Sequence, residues 1–408
     1  MQERLRRAFS VRRNLRLLFT PVEGHLRPLD GLRALSILWV MLFHAGWYGA
    51  LHIPPAVYAQ MLFSPLMLPV WRGDFGVDVF FVLSGFLIAG MLIDERNRTG
   101  GLRLALFYGR RLMRLWPALV VAVVLDMIVI GDNREAAWAN LLYLSNLLPI
   151  RESAMAWTWS LAIEEQFYLL CPWLVSSLAP LGPGRRVATL AGIAAALGAL
   201  GAWIVVAGDF HHFDTEIVVN RDLDRWALGF DTLYTKPWMR AGPLLAGVAS
   251  AYVYRTPRAM QALAGGGWKT VAGLVAAVLV GGLCTHWQFV WNMPRAVEVA
   301  YVAGFRTAFG VSVAYVLLLS VSAHPLGVRI GRLLSARVLY PVAQLAYSAY
   351  LLNPIVTGAV DRALAPFVWR DGVAPMPLFV PFDFAGTFVA AAVMYVLVER
   401  PFMELRPR

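Results

Sequence analysis

The chain has 408 residues, of which 59 % are hydrophobic and only 15 % are charged, whereas about a quarter of the residues of a soluble globular domain are charged. An ordinary soluble domain is therefore excluded. The net charge of +11 does not indicate a nucleic-acid partner, because the lysines and arginines recur in short groups between apolar stretches and build no single basic face. Cys171 and Cys284 lie in apolar runs without metal-ligand or redox spacing, so we expect no metal.

Long apolar stretches recur along the whole chain. A bilayer core about 30 Å thick requires roughly 20 apolar residues in a helix. Such stretches predict an all-α fold, a polytopic transmembrane bundle of about ten helices. The sixth stretch is short, and an amphipathic segment, 136–150, precedes the fourth, so a count of nine to eleven stays open. The predicted spans are 33–52, 76–94, 112–130, 158–180, 187–207, 241–254, 270–290, 299–322, 338–358 and 381–399.

The distribution of lysine and arginine predicts the orientation. These residues concentrate in every second connecting segment, beginning with the N-terminal one, which places both chain ends in the cytoplasm. We therefore predict a basic cytoplasmic segment over 1–32, a transmembrane domain over 33–400 and a cytoplasmic tail over 401–408. Segment 1–32 has no short apolar region followed by a cleavage site, so we expect no cleaved signal peptide.

The largest predicted outer feature is the loop 208–240. It combines aromatic residues with carboxylates, among them Asp209, Asp214, Glu216 and Asp222. Aromatic rings and carboxylates suit the stacking and hydrogen bonding of sugars, but a partly ordered connector fits this composition equally well.

The first span contains two ionisable residues, Arg33 and His44, whose insertion into a bilayer costs free energy. They are eleven residues apart, about three helical turns, so they share a face but differ by roughly 16 Å in height and do not touch. Arg33 is predicted at the cytoplasmic mouth, and His44 lies about 12 Å below the outer surface.

Two other spans bring polar residues to a similar depth. Counting helical rise from the outer surface places Ser84 and Gly85 about 12 Å deep, and Glu164 about 9 Å deep with Tyr168 one turn further. This predicts that Glu164 faces His44 and helps it to act as a general base. The alternative is a histidine that is hydrogen-bonded only for packing.

The third span opens with a basic group, Arg110, Arg111 and Arg114, of which Arg110 and Arg114 share a helix face. The group has two interpretations. One is anchoring to lipid phosphates at the inner surface. The other is a phosphate site for a nucleotide-bearing substrate, joined by Arg33. Coenzyme A has the required phosphates and a long arm that spans the distance to His44.

These motifs resemble the acyltransferase 3 family of membrane-bound acyltransferases, which includes bacterial O-acetylating proteins of the cell envelope. The resemblance covers nearly the whole chain and is carried by six motifs in order. They are the arginine and histidine of LDGLRALSILWVMLFHAG, the phenylalanines, serine and glycine of GVDVFFVLSGFLI, and the segments RRLMR, WSLAIEEQFY, AYSAYLLNP and VERPF.

The resemblance implies an O-acyltransferase of the cell inner (cytoplasmic) membrane. It implies acyl-CoA, chiefly acetyl-CoA, as a cytoplasmic donor and no permanently bound cofactor. The acceptor would be a hydroxyl of a cell-envelope glycan or its lipid-linked precursor on the outer face, with membrane lipids around the protein. Carried over by motif, the catalytic residues are His44, Glu164 and Arg33; the acyl-CoA-binding residues are Arg110, Arg111, Arg114, Ser84 and Gly85; and the residues that bind or support the acceptor are Asp78, Tyr168, Ser348 and Asn353.

The sequence departs from the family pattern in two places. Many members have a histidine where this chain has Asn353, so a second-histidine role is in doubt there, although an amide can still orient a substrate. We also expect no serine esterase-like domain after the membrane domain, although some relatives have one. The acceptor is then acylated by the membrane domain itself or by a separate periplasmic transferase partner.

Two other function classes stay open. In a transporter of an acyl group, sugar or lipid, the same ionisable residues would form a proton or substrate path. Against this, the two halves of the chain show no matching pair of glycine- or proline-broken helices. A purely structural subunit would leave the buried arginine, histidine and glutamate unexplained.

Overall fold

The structure is a computed structural model that describes residues 2–21, 26–62, 64–210, 223–286, 293–368 and 376–407. These residues form helices and connecting turns and contain no β-strand, which confirms the predicted all-α class. Helices of 18 residues or more are α1 (Pro28–Ala50), α2 (Phe75–Thr99), α3 (Leu104–Val129), α4 (Trp159–Leu178), α5 (Pro183–Ala207), α6 (Pro237–Tyr254), α7 (Trp268–Thr285), α8 (Arg295–Ser320), α9 (Leu339–Val368) and α10 (Met376–Met394).

Shorter helical pieces connect the long helices. The α-helical ones are Gln2–Ala8, Val11–Phe19, Pro55–Leu62, Leu68–Trp71, Ala137–Leu141, Leu223–Gly229, Pro257–Gly265, Pro325–Leu334 and Arg400–Leu405. Single 3-10 turns occur at Arg134–Ala136, Ser145–Leu147, Ile150–Glu152 and Ala156–Thr158, and single π turns at Phe230–Tyr234 and Tyr395–Glu399. The amphipathic segment 136–150 is thus broken into a five-residue helix and 3-10 turns. It is too short in any one piece to cross a bilayer.

Among the described residues, seven helical segments are long and apolar enough to cross a membrane, which makes this a multi-pass membrane protein. They are Pro28–Ala50, Phe75–Thr99, Leu104–Val129, Pro183–Ala207, Trp268–Thr285, Arg295–Ser320 and Phe379–Leu405. Three more helices of similar length, α4, α6 and α9, carry ionisable groups such as Glu164, Arg240 and Asp361.

Local sequence explains several helix ends. Pro28, Pro183 and Pro237 open α1, α5 and α6, at a first-turn position where the missing N–H group is not needed. Helix α2 ends at Gly100, whose φ of 75° is a left-handed conformation that favours glycine. The polar ends of the long helices extend beyond the apolar stretches, which is why α1 begins at Pro28 and not at the predicted residue 33.

Helix α2 lies at the centre of the bundle. It packs most extensively against α6 and also contacts α1, α4 and α8. Helix α9 packs against α1, α3 and α10, so α1 lies between two groups of helices. In the apolar stretches of α5 and α7, 17 % of the residues are buried, compared with 78 % in α2, which places α5 and α7 at the lipid-facing periphery.

Candidate active site

His44 of α1 contacts an asparagine from another helix. Its Nδ1 lies 2.8 Å from Oδ1 of Asn353 in α9. Nδ2 of Asn353 lies 3.3 and 3.4 Å from the two carboxylate oxygens of Asp383 in α10. The same Nδ2 lies 3.0 Å from Oγ1 of Thr357 and 3.2 Å from Oγ1 of Thr387. We call these five residues the histidine network; His44 is half-buried and the other four are fully buried.

The predicted contact between His44 and Glu164 is not formed. One carboxylate oxygen of Glu164 accepts a hydrogen bond of 2.6 Å from Oγ of Ser84, whose Oγ in turn accepts a bond of 3.2 Å from the Tyr168 hydroxyl. We call Ser84, Glu164 and Tyr168 the glutamate group. Arg33, which lies about three helical turns from His44 on α1, is among the charges that act on Glu164. Glu164 therefore lies nearer to the level of Arg33 than the depth estimate predicted.

Three arginines surround the glutamate group. The guanidinium carbon of Arg111 lies 5.0 Å from the ring centroid of Tyr168, close enough for a cation–π interaction. Arg33 and Arg114 also exert an attractive electrostatic effect on the Glu164 carboxylate. The structure thus brings Arg33, Arg111 and Arg114 together, and we call them the arginine cluster. Their gathering agrees with the prediction that Arg33 joins the basic group of the third span.

Arg110 points in a different direction from Arg111. Its Nε donates a hydrogen bond of 2.9 Å to the carbonyl oxygen of Pro407 near the chain end. Burial and repulsion from Arg114 and Arg110 lower the pKa of Arg406 in the same tail. The C-terminal tail therefore adds positive charge at the edge of the arginine cluster.

Ser348 lies near the arginine cluster and not beside His44. The buried hydroxyl of Ser348 donates a bond of 2.8 Å to Glu399. Arg114 and Arg33 act electrostatically on this same glutamate. The late motifs AYSAYLLNP and VERPF are thus joined through Ser348 and Glu399, while Asn353 of the first of them contacts His44.

Asp78 belongs to a separate buried ionic network. Its carboxylate accepts hydrogen bonds from Arg240 at 3.2 and 3.3 Å and also from Arg306, which bonds Asp74 as well. The Arg240 guanidinium carbon lies 3.9 Å from the ring centroid of Tyr234. Because Asp78 is fully buried and both its oxygens are engaged, its geometry favours the supporting role over contact with an acceptor.

Gly85 lies at the closest approach of α2 and α6. A Cβ atom built on Gly85 would lie 2.2 Å from the carbonyl oxygen of Leu244, and one on Gly247 would lie 2.2 Å from that of Val82. The glycine of the motif GVDVFFVLSGFLI thus allows two helix backbones to meet. Its role in donor binding stays a prediction.

The described part of the predicted outer loop contributes a series of aromatic rings. Trp47 of α1 stacks on Trp226 with centroids 5.6 Å apart, and Trp226 lies 5.1 Å from Phe230. Phe230 stacks on Tyr234 at 4.7 Å. Burial raises the pKa of the neighbouring Asp231, whose carboxylate accepts the Ile150 backbone N–H. Asp214, Glu216 and Asp222 of the same loop lie outside the described residues.

Sequence reasoning missed Asp383, Thr357 and Thr387. The rule that selected His44, an ionisable residue inside an apolar span, also selects Asp383, because it falls within the predicted span 381–399. The two threonines gave no signal, since hydroxyl residues are common in membrane helices.

The sequence matches the acyltransferase domain family over residues 27–398. The chain belongs to this family. The resemblance predicted from the six motifs is thereby confirmed, and the matched region contains the histidine network, the glutamate group and the arginine cluster.

Two relatives place this family member among O-acetyltransferase-like sequences. The chain is 27 % identical over 413 residues to the O-acetyltransferase OatA of Staphylococcus aureus, which covers 95 % of this chain and 58 % of that protein. It is 28 % identical over 397 residues to the peptidoglycan O-acetyltransferase OatA of Listeria monocytogenes, covering 91 % of this chain and 55 % of that protein. This chain thus spans a little over half the length of these relatives. No solved structure matches it.

Proposed function

We propose that this chain is a membrane-bound O-acyltransferase. It moves an acyl group, in the first instance acetyl, from cytoplasmic acyl-CoA to a hydroxyl of a cell-envelope polysaccharide or its lipid-linked precursor. Family membership and the O-acetyltransferase relatives support the reaction class. The observation that carries the proposal is the half-buried His44, whose side chain is held by a buried network of polar residues. His44 lies on the same helix as Arg33.

The reaction needs a group that handles a proton beside the thioester. The acceptor oxygen attacks the thioester carbonyl carbon, a C–O bond forms, and the C–S bond breaks to release coenzyme A as a thiolate. As a general base, His44 takes the proton of the hydroxyl and returns it to the thiolate. As an acyl carrier, its imidazole nitrogen first attacks the thioester carbonyl carbon, so that a C–N bond forms and the C–S bond breaks. The hydroxyl oxygen then attacks the acyl-imidazole, the C–N bond breaks, and the hydroxyl proton passes to the thiolate. Both routes restore the starting histidine.

The donor approaches from the side of the arginine cluster. Guanidinium groups suit the phosphates of coenzyme A, because they form paired, charge-assisted hydrogen bonds. Arg33, Arg111 and Arg114 bind these phosphates in this proposal, and Arg110 and Arg406 add charge at the entrance. The glutamate group lines the path from the cluster toward His44.

The acceptor approaches from the opposite side. The proposal includes ten spans in the inner membrane with both chain ends in the cytoplasm, so the aromatic series from Trp47 to Tyr234 faces outward. Aromatic rings and nearby carboxylates such as Asp231 suit a sugar. The acceptor is acylated by this membrane domain or by a separate periplasmic transferase partner. A transporter is the alternative, and the transferase relatives do not favour it.

Replacing the histidine tests the proposal. Membranes containing His44→Ala, supplied with labelled acetyl-CoA, are expected to transfer label to glycan about 10²- to 10⁴-fold more slowly, because proton transfer by a positioned residue contributes that much. His286→Ala is the matched control, since His286 is exposed at the end of peripheral helix α7. Unchanged labelling by folded His44→Ala protein would refute the proposal and favour a transporter.

A further inference from the structure

A carboxamide lies between His44 and a buried carboxylate. Asn353 presents Oδ1 to Nδ1 of His44 at 2.8 Å and Nδ2 to both oxygens of Asp383 at 3.3 and 3.4 Å. We propose that Asp383 is a positioning residue that acts through Asn353 to keep the proton of His44 on Nδ1. This inference rests on the proposed function, because it matters for catalysis only if His44 performs the transfer.

The chemistry of the amide determines which end faces the histidine. The two ends of an asparagine side chain are nearly equal in shape, but its oxygen only accepts hydrogen bonds and its nitrogen donates two. An ionised carboxylate also only accepts. With the amide reversed, its oxygen would face the Asp383 oxygens in a buried site and neither atom would supply a hydrogen. Asp383 therefore orients the Asn353 oxygen toward His44.

This orientation decides the tautomer of the imidazole. Oδ1 of Asn353 has no hydrogen to give, so the hydrogen bond to His44 exists only if Nδ1 carries the proton. A neutral imidazole has a single N–H group, and Nε2 is then left with a free lone pair. A lone pair on Nε2 is what a base or an acyl acceptor requires.

The two threonines hold the same arrangement. Oγ1 of Thr357 lies 2.7 Å from Oδ1 of Asp383 and accepts from Nδ2 of Asn353 at 3.0 Å. Oγ1 of Thr387 accepts from that nitrogen at 3.2 Å. The two hydrogens of the amide nitrogen thus have four acceptor atoms within hydrogen-bonding distance. Because these side chains are fully buried, no water replaces the bonds that a reversed amide would lose.

Asp383→Asn separates this role from simple packing. An amide at position 383 can donate as well as accept, so Asn353 is free to reverse and the proton of His44 can move to Nε2. The expected result is a kcat about 10²- to 10⁴-fold lower per folded enzyme, with the KM for acetyl-CoA unchanged because the donor binds at the arginine cluster. The control is Asp94→Asn. This substitution removes a carboxylate at the end of α2 that accepts a hydrogen bond from Arg255, and the position is far from His44 in the chain.

The double variant Asn353→Asp/Asp383→Asn provides the decisive comparison. It exchanges the two side chains, keeps the buried charge and puts a carboxylate, which only accepts, against Nδ1 of His44. We expect kcat at least tenfold above that of Asp383→Asn. A folded double variant that is no more active than the single variant would overturn the inference, and so would an unchanged kcat in Asp383→Asn.

The tautomer can also be observed without measuring activity. In liposomes with ¹⁵N-labelled histidine rings, solid-state NMR of the parent protein should show the His44 proton on Nδ1, and Asp383→Asn should increase the Nε2–H form. Assignment of the His44 signals comes from their loss in His44→Ala. If the proton stays on Nδ1 in folded Asp383→Asn, the inference fails even if His44→Ala has already supported the proposed function. If Asp383→Asn increases the Nε2–H form but His44→Ala keeps full activity, the proposed function is refuted and the positioning of the His44 proton by Asp383 is not.

Discussion

Adjacent arginines in the motif RRLMR have different surroundings. Arg111 lies over the ring of Tyr168 and is attracted by the nearby Glu164. Arg110 instead bonds the backbone carbonyl of Pro407. Successive residues of an α-helix point about 100° apart, so two neighbours in sequence serve different sites. In the proposed function, the inward Arg111 is the one that meets a donor phosphate.

Arg111→Ala is expected to weaken donor binding most. Loss of a hydrogen bond between charged groups costs about 1.5–3 kcal/mol, which corresponds to a rise of about 10- to 150-fold in the KM for acetyl-CoA. Arg110→Ala should have a smaller effect. Arg103→Ala, at the exposed start of α3 where Arg103 pairs with Glu95, should have none. Initial rates at varied acetyl-CoA give the order, and an equal KM in the Arg111 and Arg103 variants would contradict the donor-site assignment.

At the scale of elements, the crossing of α2 and α6 holds the centre of the bundle together. Gly85 and Gly247 face each other there, and neither position has room for a side chain. In a membrane, helices associate through close packing and not through the hydrophobic effect, so small residues at a crossing are important for stability. This crossing also fixes the position of Ser84, the residue next to Gly85, and through it the glutamate group.

Gly247→Leu should destabilise the folded protein. Its Cβ would lie 2.2 Å from the carbonyl oxygen of Val82, so α2 and α6 must separate. Overpacking of this kind costs about 1–3 kcal/mol or more. Gly192→Leu in peripheral α5 is the matched control, because a Cβ there meets no atom within 4 Å. Thermal unfolding in detergent should give a lower midpoint for Gly247→Leu alone; equal midpoints would show that the crossing tolerates separation.

At the scale of the whole molecule, the two ends of the chain meet. Nη2 of Arg4 in the first short helix donates to the backbone carbonyl of Glu404 at 2.9 Å. Arg13 contacts the Glu404 carboxylate at 3.2 Å. Because the two ends are in contact, they lie on the same side of the bundle. Two ends on one side of a membrane imply an even number of membrane crossings. This agrees with the alternation of basic segments, and the cytoplasmic side remains part of the proposal.

Single cysteines test this orientation. Once the buried Cys171 and Cys284 are replaced by serine, an impermeant thiol reagent added to intact cells should label Asp132→Cys and should leave Arg258→Cys unlabelled. Both positions are exposed, so accessibility within the protein does not separate them. Permeabilised cells, in which both label, are the control. The reverse pattern would place the arginine cluster outside and refute a cytoplasmic donor.

The sequence alone determined the membrane class, the long helices and the separation of Arg33 from His44. These properties depend on apolar length and on rise along one helix, and both quantities are local. The sequence also contained enough information to select Asp383, because an ionisable residue inside an apolar span is a functional candidate.

Only the tertiary structure decided which side chains touch. It paired His44 with Asn353 and Asp383, and it placed Glu164 beside the arginine cluster. Lateral neighbours depend on how helices distant in sequence pack, and α9 and α10 follow α1 by some 300 residues. A depth estimate counts rise along one helix from an assumed surface, and it does not determine which residues of neighbouring helices are in contact.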